Sequence, residues 1–275
     1  MINKFNPMLM TDFYKIGHPF QYPKGTTMVY SNLTPRKSRL PGIDKMVFFG
    51  LQYFIKEYLI TQFNENFFKR PFDEVIPEYK RVIKNTIGDL PSYTHIENLH
   101  KLGYLPIHIK ALPEGTSINM RVPVLTIVNT LPEFYWVTNF VESLLTATTW
   151  QSSTSATISK TFFEVISEYG ERTGIDKSFI QWQGHDFSFR GMSSFESALL
   201  SSMGHLAGGF TGTDSIVAIY GVERYYGGDV EKQLIGGSCP ATEHATMCAG
   251  IITLEEELKN GHHPDIIEDF LTSSI

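Results

Sequence analysis

Hydrophobic and polar positions along the chain fall into two textures that change near Pro132. Before it, short apolar runs alternate with turns. Thr11 is placed to cap a helix through Asp12-Phe13-Tyr14-Lys15, and the Tyr22-Pro23-Lys24-Gly25 turn leads into an apolar strand, Thr27-Met28-Val29-Tyr30. Phe48-Phe49-Gly50-Leu51 opens an amphipathic helix with Phe54, Ile55, Tyr58 and Leu59 at helical spacing. Residues 71–87 and 92–102 predict two more helices. Alternation over Leu105 to Lys110 predicts a strand. The Pro113-Glu114-Gly115 turn leads to a second near 116–120, and a third covers 122–129. This is an α+β unit with a small, largely antiparallel sheet. After Pro132 the pattern predicts helices over 133–148 and 154–172, a strand at 179–182, a helix over 194–206 and a short strand at 209–213. Helices over 215–226 and 241–259 follow, then a break at Gly261-His262-His263-Pro264 and a short final helix. Alternating strand and helix implies a parallel arrangement. The expected fold class is α/β: an α+β domain over 1–150, then a partial (β/α) barrel over 151–275. A whole barrel takes about 200–250 residues, more than the second part holds.

Composition narrows the function classes. Of 275 residues, 42% are apolar and 19% charged, enough for a sizeable core. Lys and Arg number 23 against 29 Asp and Glu, a net charge of −6. A mildly acidic chain lacks the basic face that general nucleic-acid binding needs. The segment 36–45, with Arg36, Lys37, Arg39 and Lys45, reads as an exposed basic loop. No apolar run reaches the roughly 20 residues of a membrane-spanning helix, and Met1 to Met10 lacks the pattern of a secretory signal. Two late cysteines, Cys239 and Cys248, suit a reducing cytoplasm and lack zinc-site spacing.

Ligand groups in parallel α/β folds gather where strands end and helices begin. Three such junctions carry polar residues. In His185-Asp186-Phe187-Ser188-Phe189-Arg190-Gly191, Arg190 before a helix start suits a phosphate or carboxylate, and Phe187 suits stacking on a planar ring. Ser193 followed by Glu196 reads as a capping box for the next helix. The structural alternative makes Phe187 core, pairs Arg190 with Asp186 and leaves His185 a local hydrogen bond. Gly208-Gly209-Phe210-Thr211-Gly212-Thr213-Asp214 places Asp214 at a strand end or as a helix cap; it matches neither a Walker loop nor a dinucleotide fingerprint. In Ser238-Cys239-Pro240-Ala241-Thr242-Glu243-His244, Pro240 fits a first helical turn and sets His244 early in it, as a base, acid, nucleophile or structural histidine. Near the N-terminus, Asp12 and Tyr14 do not share a helical face.

Taken together and in order, Thr11-Asp12-Phe13-Tyr14-Lys15, Tyr30-Ser31, Phe49-Gly50-Leu51-Gln52-Tyr53, Pro132-Glu133-Phe134-Tyr135-Trp136, the His185–Gly191 segment, Gly212-Thr213-Asp214 and Pro240-Ala241-Thr242-Glu243-His244 closely resemble the nicotinamide phosphoribosyltransferase family, from about residue 8 to about residue 250. The resemblance implies a type II phosphoribosyltransferase. Such an enzyme joins nicotinamide to phosphoribosyl pyrophosphate, giving nicotinamide mononucleotide and pyrophosphate in NAD biosynthesis. It implies a homodimer with sites at the subunit interface, Mg²⁺ carried with phosphoribosyl pyrophosphate, and ATP as a coupling substrate. Carried over by position, Phe187 stacks on one face of the pyridine and Tyr14 of a second subunit on the other. Asp214 accepts from the carboxamide and disfavours the acid. Arg190 contacts the ligand or phosphate region, Arg36 reaches phosphates from the other subunit, His244 is the histidine phosphorylated by ATP, and Asp12 supports.

The family pattern runs on into acidic residues near the ribose and metal, a Pro-Asp-Ser-Gly segment and a glycine-rich phosphate cradle. These motifs are not found in this sequence. The expectations are therefore a truncated enzyme, one half of a split enzyme with a complementing C-terminal half, or a catalytically inactive relative that binds nicotinamide or a partner. A nicotinate phosphoribosyltransferase is the enzymatic rival, against which Asp214 argues by charge.

Overall fold

The computed structural model describes residues 5–261, so the His262-His263-Pro264 break and the helix expected beyond it lie outside the described residues. The chain divides into two compact units, Met1–Gly236 and Gly237–Ile275. The first opens with α1 (Phe13–Gly17). Its main sheet has the order β1 (Tyr30–Leu33), β5 (Leu125–Asn129), β3 (Ile107–Ala111), antiparallel throughout, with Ile127 opposite both Ser31 and Ile109. A second antiparallel pair joins β2 (Lys45–Val47) to β4 (Ser117–Asn119). The antiparallel expectation holds, while two strands start late. At 27–29 the backbone is bonded by a side chain instead of a ladder: Val29 N–H donates to Asn129 Oδ1 at 2.8 Å, and Asn129 Nδ2 donates to the Thr27 carbonyl at 2.9 Å. Before β5, Pro123 has no N–H to offer a ladder and Arg121 sits in the left-handed region at φ 71°. The strand β2 was not expected from the basic loop.

Leu51–Tyr53 forms α2, but the helix then widens into π-helical turns over Phe54–Gln62 and Asn64–Phe68. Its N-terminus is capped from afar: the Glu114 carboxylate accepts from the N–H groups of Gly50, Leu51 and Gln52, and from the Tyr226 hydroxyl. An anion at a helix N-terminus satisfies orphan donors and complements the dipole. Helices α3 (Phe72–Ile87) and α4 (Thr94–Leu102) fall where the periodicity placed them. They enclose a core of Phe63, Phe67, Tyr79, Ile83, Leu99 and Trp136.

Helices expected over 133–148 and 154–172 are instead a 3₁₀ turn at Pro132–Phe134, a short α5 (Val137–Phe140) and one 32-residue helix, α6 (Glu142–Thr173). The division expected at residue 150 falls inside α6. The Ser/Thr-rich stretch reads as a break, yet these hydroxyls bond back to carbonyls of the preceding turn: Thr149 to Leu145 at 2.6 Å, Thr154 to Trp150 at 2.6 Å, Thr157 to Ser153 at 2.6 Å. Residues 179–182, expected as a strand, belong partly to a helical turn, α7 (Lys177–Ile180), capped by Asp176 accepting from Ser178 N–H at 2.9 Å. A short apolar run does not distinguish strand from helix. The parallel pair comes next: β6 (His185–Asp186) beside β7 (Gly212–Thr213), with His185 opposite Gly212. Helices α8 (Phe195–Ala207) and α9 (Ile216–Tyr226) follow their strands, as in an α/β arrangement. Ser194, not Ser193, caps α8, accepting from Ser197 N–H at 3.1 Å. Glu196 is taken instead by the hydroxyls of Tyr53 and Tyr58, at 2.9 and 2.5 Å. A core of Phe48, Phe54, Leu145, Leu199, Met203 and Ala218 ties the sheets to α6, α8 and α9. In the second unit, α10 (His244–Lys259) begins three residues later than expected, with Glu243 in extended backbone before it, so Pro240 lies outside the helix. Among the described residues, no helix is long and apolar enough to cross a membrane.

Candidate active site

The two parallel strands end side by side, and their loops carry the expected ligand residues. Asp186, at the end of β6, is buried. Burial alone would raise its pKa, but donors from Ser188 and Thr213 outweigh it and hold the carboxyl down at about 2. Ser188 N–H reaches Oδ1 at 3.0 Å and Thr213 Oγ1 reaches Oδ2 at 3.0 Å. The Asp186 carbonyl in turn accepts from Asp214 N–H at 3.0 Å, continuing the ladder past the strand ends. Asp186 is thus the strut joining the two loops. Among the described residues no ion pair joins it to Arg190, so that alternative falls; Arg190 is exposed on a 3₁₀ turn, Phe189–Gly191.

Beyond the strut stand Phe187, 69% exposed, and Asp214, on adjacent loops. His185 joins them. Its Nε2 lies 2.8 Å from Asp214 Oδ1, and its ring centroid lies 4.5 Å from that of Phe187 at an interplanar angle of 36°. Phe187 is therefore not a core residue, and Asp214 is not the side-chain cap of α9, whose N-cap is Ser215. Beside β6 a cavity of about 700 Å³ opens between α6 and the start of α8, walled by Trp150, Ile158, Phe162, His185, Asp186 and Met192. Its wall is mostly apolar with a few convergent polar groups, the usual make-up of a small-molecule site.

At the N-terminus, three consecutive contacts fasten α1 to the α5–α6 junction. Thr11 Oγ1 donates to the Phe140 carbonyl at 3.0 Å, Asp12 pairs with the Ser143 hydroxyl, and the buried Lys15 ammonium pairs with Glu142. With those side chains turned inward, Tyr14 is left 59% exposed, its ring 5.3 Å from His18. Asp12 is thereby a docking residue within this chain. Arg36 is exposed and shares a groove of about 790 Å³ with Lys37 and Arg121. Arg121 N–H donates to the Pro35 carbonyl at 2.7 Å, clamping the basic loop against the turn before β5. His244 is exposed at the start of α10 in the second unit. Among the described residues no three His, Cys, Asp or Glu side chains converge on a metal position.

Residues 6–109 match the family model described as the nicotinamide phosphoribosyltransferase N-terminal domain. Over 253 residues the chain is 48% identical to nicotinamide phosphoribosyltransferase of Acinetobacter baylyi, covering 90% of this chain and 49% of that protein. Over the matched half, the chain is similar to the nicotinamide phosphoribosyltransferases. The relatives so named in Mycoplasma genitalium and Xanthomonas campestris are 30% and 32% identical, covering 88% of this chain and 53% and 48% of theirs. The chain spans about half the length of the curated relatives it matches. The crystal structure of human nicotinic acid phosphoribosyltransferase superposes with a TM-score of 0.55 at 21% identity, covering 76% of this chain and 37% of that one; the likeness is one of fold. Two residues of the candidate site carry no site assignment in the sequence. His185 reads there as a local hydrogen-bonding residue, although its two-residue offset from Phe187 and the alternating faces of a strand put both on one side. Arg121 carries no sequence signal beyond the Pro123 nearby.

Proposed function

We propose that the chain supplies the pyridine-binding half of a nicotinamide phosphoribosyltransferase site, active when a second subunit or a complementing C-terminal half completes it. The observation that carries this reading is the convergence of Phe187, His185 and Asp214 on adjacent loops beyond the parallel strand pair. Phe187 offers an exposed aromatic face for the pyridine ring, and the exposed Tyr14 of a second copy serves the opposite face. The Asp214 carboxylate accepts a hydrogen bond from the carboxamide NH₂ and repels a carboxylate in the same place. Arg190 and, from the other subunit, Arg36 supply charge for phosphates, and Lys37 and Arg121 extend the Arg36 groove.

The pyridine nitrogen attacks the anomeric carbon of phosphoribosyl pyrophosphate. The carbon–oxygen bond to pyrophosphate breaks, and pyrophosphate departs with the bonding electron pair. The residues on this chain orient the ring nitrogen for that displacement and exclude competing ring poses. Magnesium enters with the phosphoribosyl pyrophosphate substrate and neutralises charge developing on the departing pyrophosphate. His244, exposed at the head of α10, accepts phosphate from ATP to couple hydrolysis to transfer. The two cysteines, both exposed and free, suit a cytoplasmic setting.

The test is a mass-spectrometric assay for nicotinamide mononucleotide, using the chain alone and the chain mixed with the remaining half of the Acinetobacter baylyi relative. Product is expected from the mixture and is expected to be lost with Phe187→Ala. A folded mixture that forms no product refutes the catalytic reading.

A further inference from the structure

We propose that His185 is a positioning residue of the pyridine site, holding the Asp214 carboxylate and the Phe187 ring in one geometry and thereby setting the preference for a neutral carboxamide over an acid. The proposal rests on the nicotinamide reading above. Three independent contacts converge on this one imidazole. Its Nε2 lies 2.8 Å from Asp214 Oδ1, and its ring packs 4.5 Å from Phe187. On its remaining side it lies against the β7 backbone, where a Cβ built on Gly212 would stand 2.6 Å from Nδ1. Only glycine at 212 leaves room for the ring to lie between its two partners. The main chain beneath is equally fixed, because Asp214 N–H is bonded to the Asp186 carbonyl and Asp186 is braced by Ser188 and Thr213. Backbone and side chain of Asp214 therefore have separate anchors, and His185 holds the side chain.

The chemistry follows from the donor inventory. An ionised carboxylate only accepts, so the contact requires the proton on Nε2. The Nε2–H donor orients the Asp214 carboxylate. The carboxylate, with its several lone-pair sites, then serves an amide NH₂ and disfavours a second carboxylate. Without the imidazole, the half-exposed side chain of Asp214 loses the His185 donor, and Phe187 loses the ring packed against it.

The experiment measures the binding of nicotinamide and of nicotinic acid, each titrated calorimetrically into the full 275-residue chain. The unsubstituted protein is compared with His185→Phe, His185→Gln and Asp214→Asn. Phe keeps a ring beside Phe187 but has no donor; Gln keeps a donor. His185→Phe is expected to lose about tenfold in nicotinamide affinity together with its margin over nicotinic acid, as loss of a hydrogen bond to a charged group implies. His185→Gln is expected to recover part of both. Nitrogen-15 spectra of the imidazole, recorded without ligand, are expected to show the Nε2–H form in the unsubstituted protein and to lose that preference in Asp214→Asn. If His185→Phe keeps affinity and margin while Asp214→Asn loses them, His185 does not position the site and the proposal fails alone. If Asp214→Asn binds like the unsubstituted chain, or neither ligand binds, the pyridine reading itself fails and takes the proposal with it. The ligand-free spectra then report whether the His185–Asp214 pair exists as a purely structural feature.

Discussion

Gly204→Ala probes the contact on which the candidate site is mounted. Gly204 lies in α8 where that helix crosses α6 at close range. A Cβ there would stand 2.5 Å from the Ser152 carbonyl oxygen, 3.0 Å from Ser155 Cβ and 3.1 Å from Ala156 N. Ordinary contact between such atoms is about 3.5 Å, so α8 must retreat by close to 1 Å. Retreat also strains two hydrogen bonds that cross the same seam: Ser155 Oγ to the Ser201 carbonyl at 2.6 Å, and Ser159 Oγ to the His205 carbonyl at 2.7 Å. Overpacking costs about 1–3 kcal/mol and the weakened bonds about 1 kcal/mol in all, while alanine regains about 1 kcal/mol of helix propensity. The net is a loss of about 1–3 kcal/mol, or a fall in Tm of very roughly 2–12 °C for a unit of this size. Gly170→Ala in α6 is the control. Its Cβ would meet only the side-chain carbons of Ile175 and Ile180, at 2.9 and 3.0 Å, which rotate aside. That variant is expected within about 1 kcal/mol of the unsubstituted chain, propensity and crowding offsetting. Thermal melts followed by circular dichroism decide the matter. Gly204→Ala melting at or above Gly170→Ala would show that the helices do not approach so closely, and the account of the α6–α8 seam would be wrong.

Two further predictions concern buried polar groups. The hydroxyls of Tyr53 and Tyr58 share one acceptor, Glu196; burial first, and then that carboxylate, push both tyrosine pKa values far up. Glu196→Ala leaves two buried donors unsatisfied and is expected to cost about 2–4 kcal/mol in urea denaturation, with Glu196→Gln costing less because it keeps an acceptor; equal losses would refute the shared-acceptor account. His95 packs edge-on against Trp136 and Phe20, and burial, only partly opposed by Glu97, lowers its pKa to about 4. Its folded pKa lies below the unfolded value of about 6.5, so the neutral ring's contribution is present above that pH and is lost as pH falls through 4. The loss approaches about 3 kcal/mol, and His95→Phe, which keeps the ring packing, should flatten stability between pH 6.5 and 4. An unchanged slope would assign the acid sensitivity elsewhere.

Local pattern carried α3, α4, α8 and α9, because each shows an apolar face at helical spacing with a recognisable end, such as Gly227 at φ 72° after α9. It also marked Phe187, Arg190 and Asp214 as loop residues beyond strands. It failed where a residue's partner is distant in the chain. The serines and threonines between 148 and 154 look like a break until their hydroxyls are seen bonded within the helix and, for Ser152, to the Phe49 carbonyl at 2.9 Å. Glu196 looks like half of a capping box until two tyrosines from about 140 residues earlier claim it. Thr27 and Val29 look like strand residues until Asn129 takes their backbone groups.

The sequence by itself determined the α/β class, the antiparallel character of the first sheet, and the residue types proposed to line the pyridine site. Periodicity and charge are local properties, legible without partners. Only the tertiary structure decided which residues form the parallel pair and that His185 stands opposite Gly212, and so brought His185, Phe187 and Asp214 into one contact. Strand register is a long-range choice between segments distant in the chain, and no spacing within either loop encodes it.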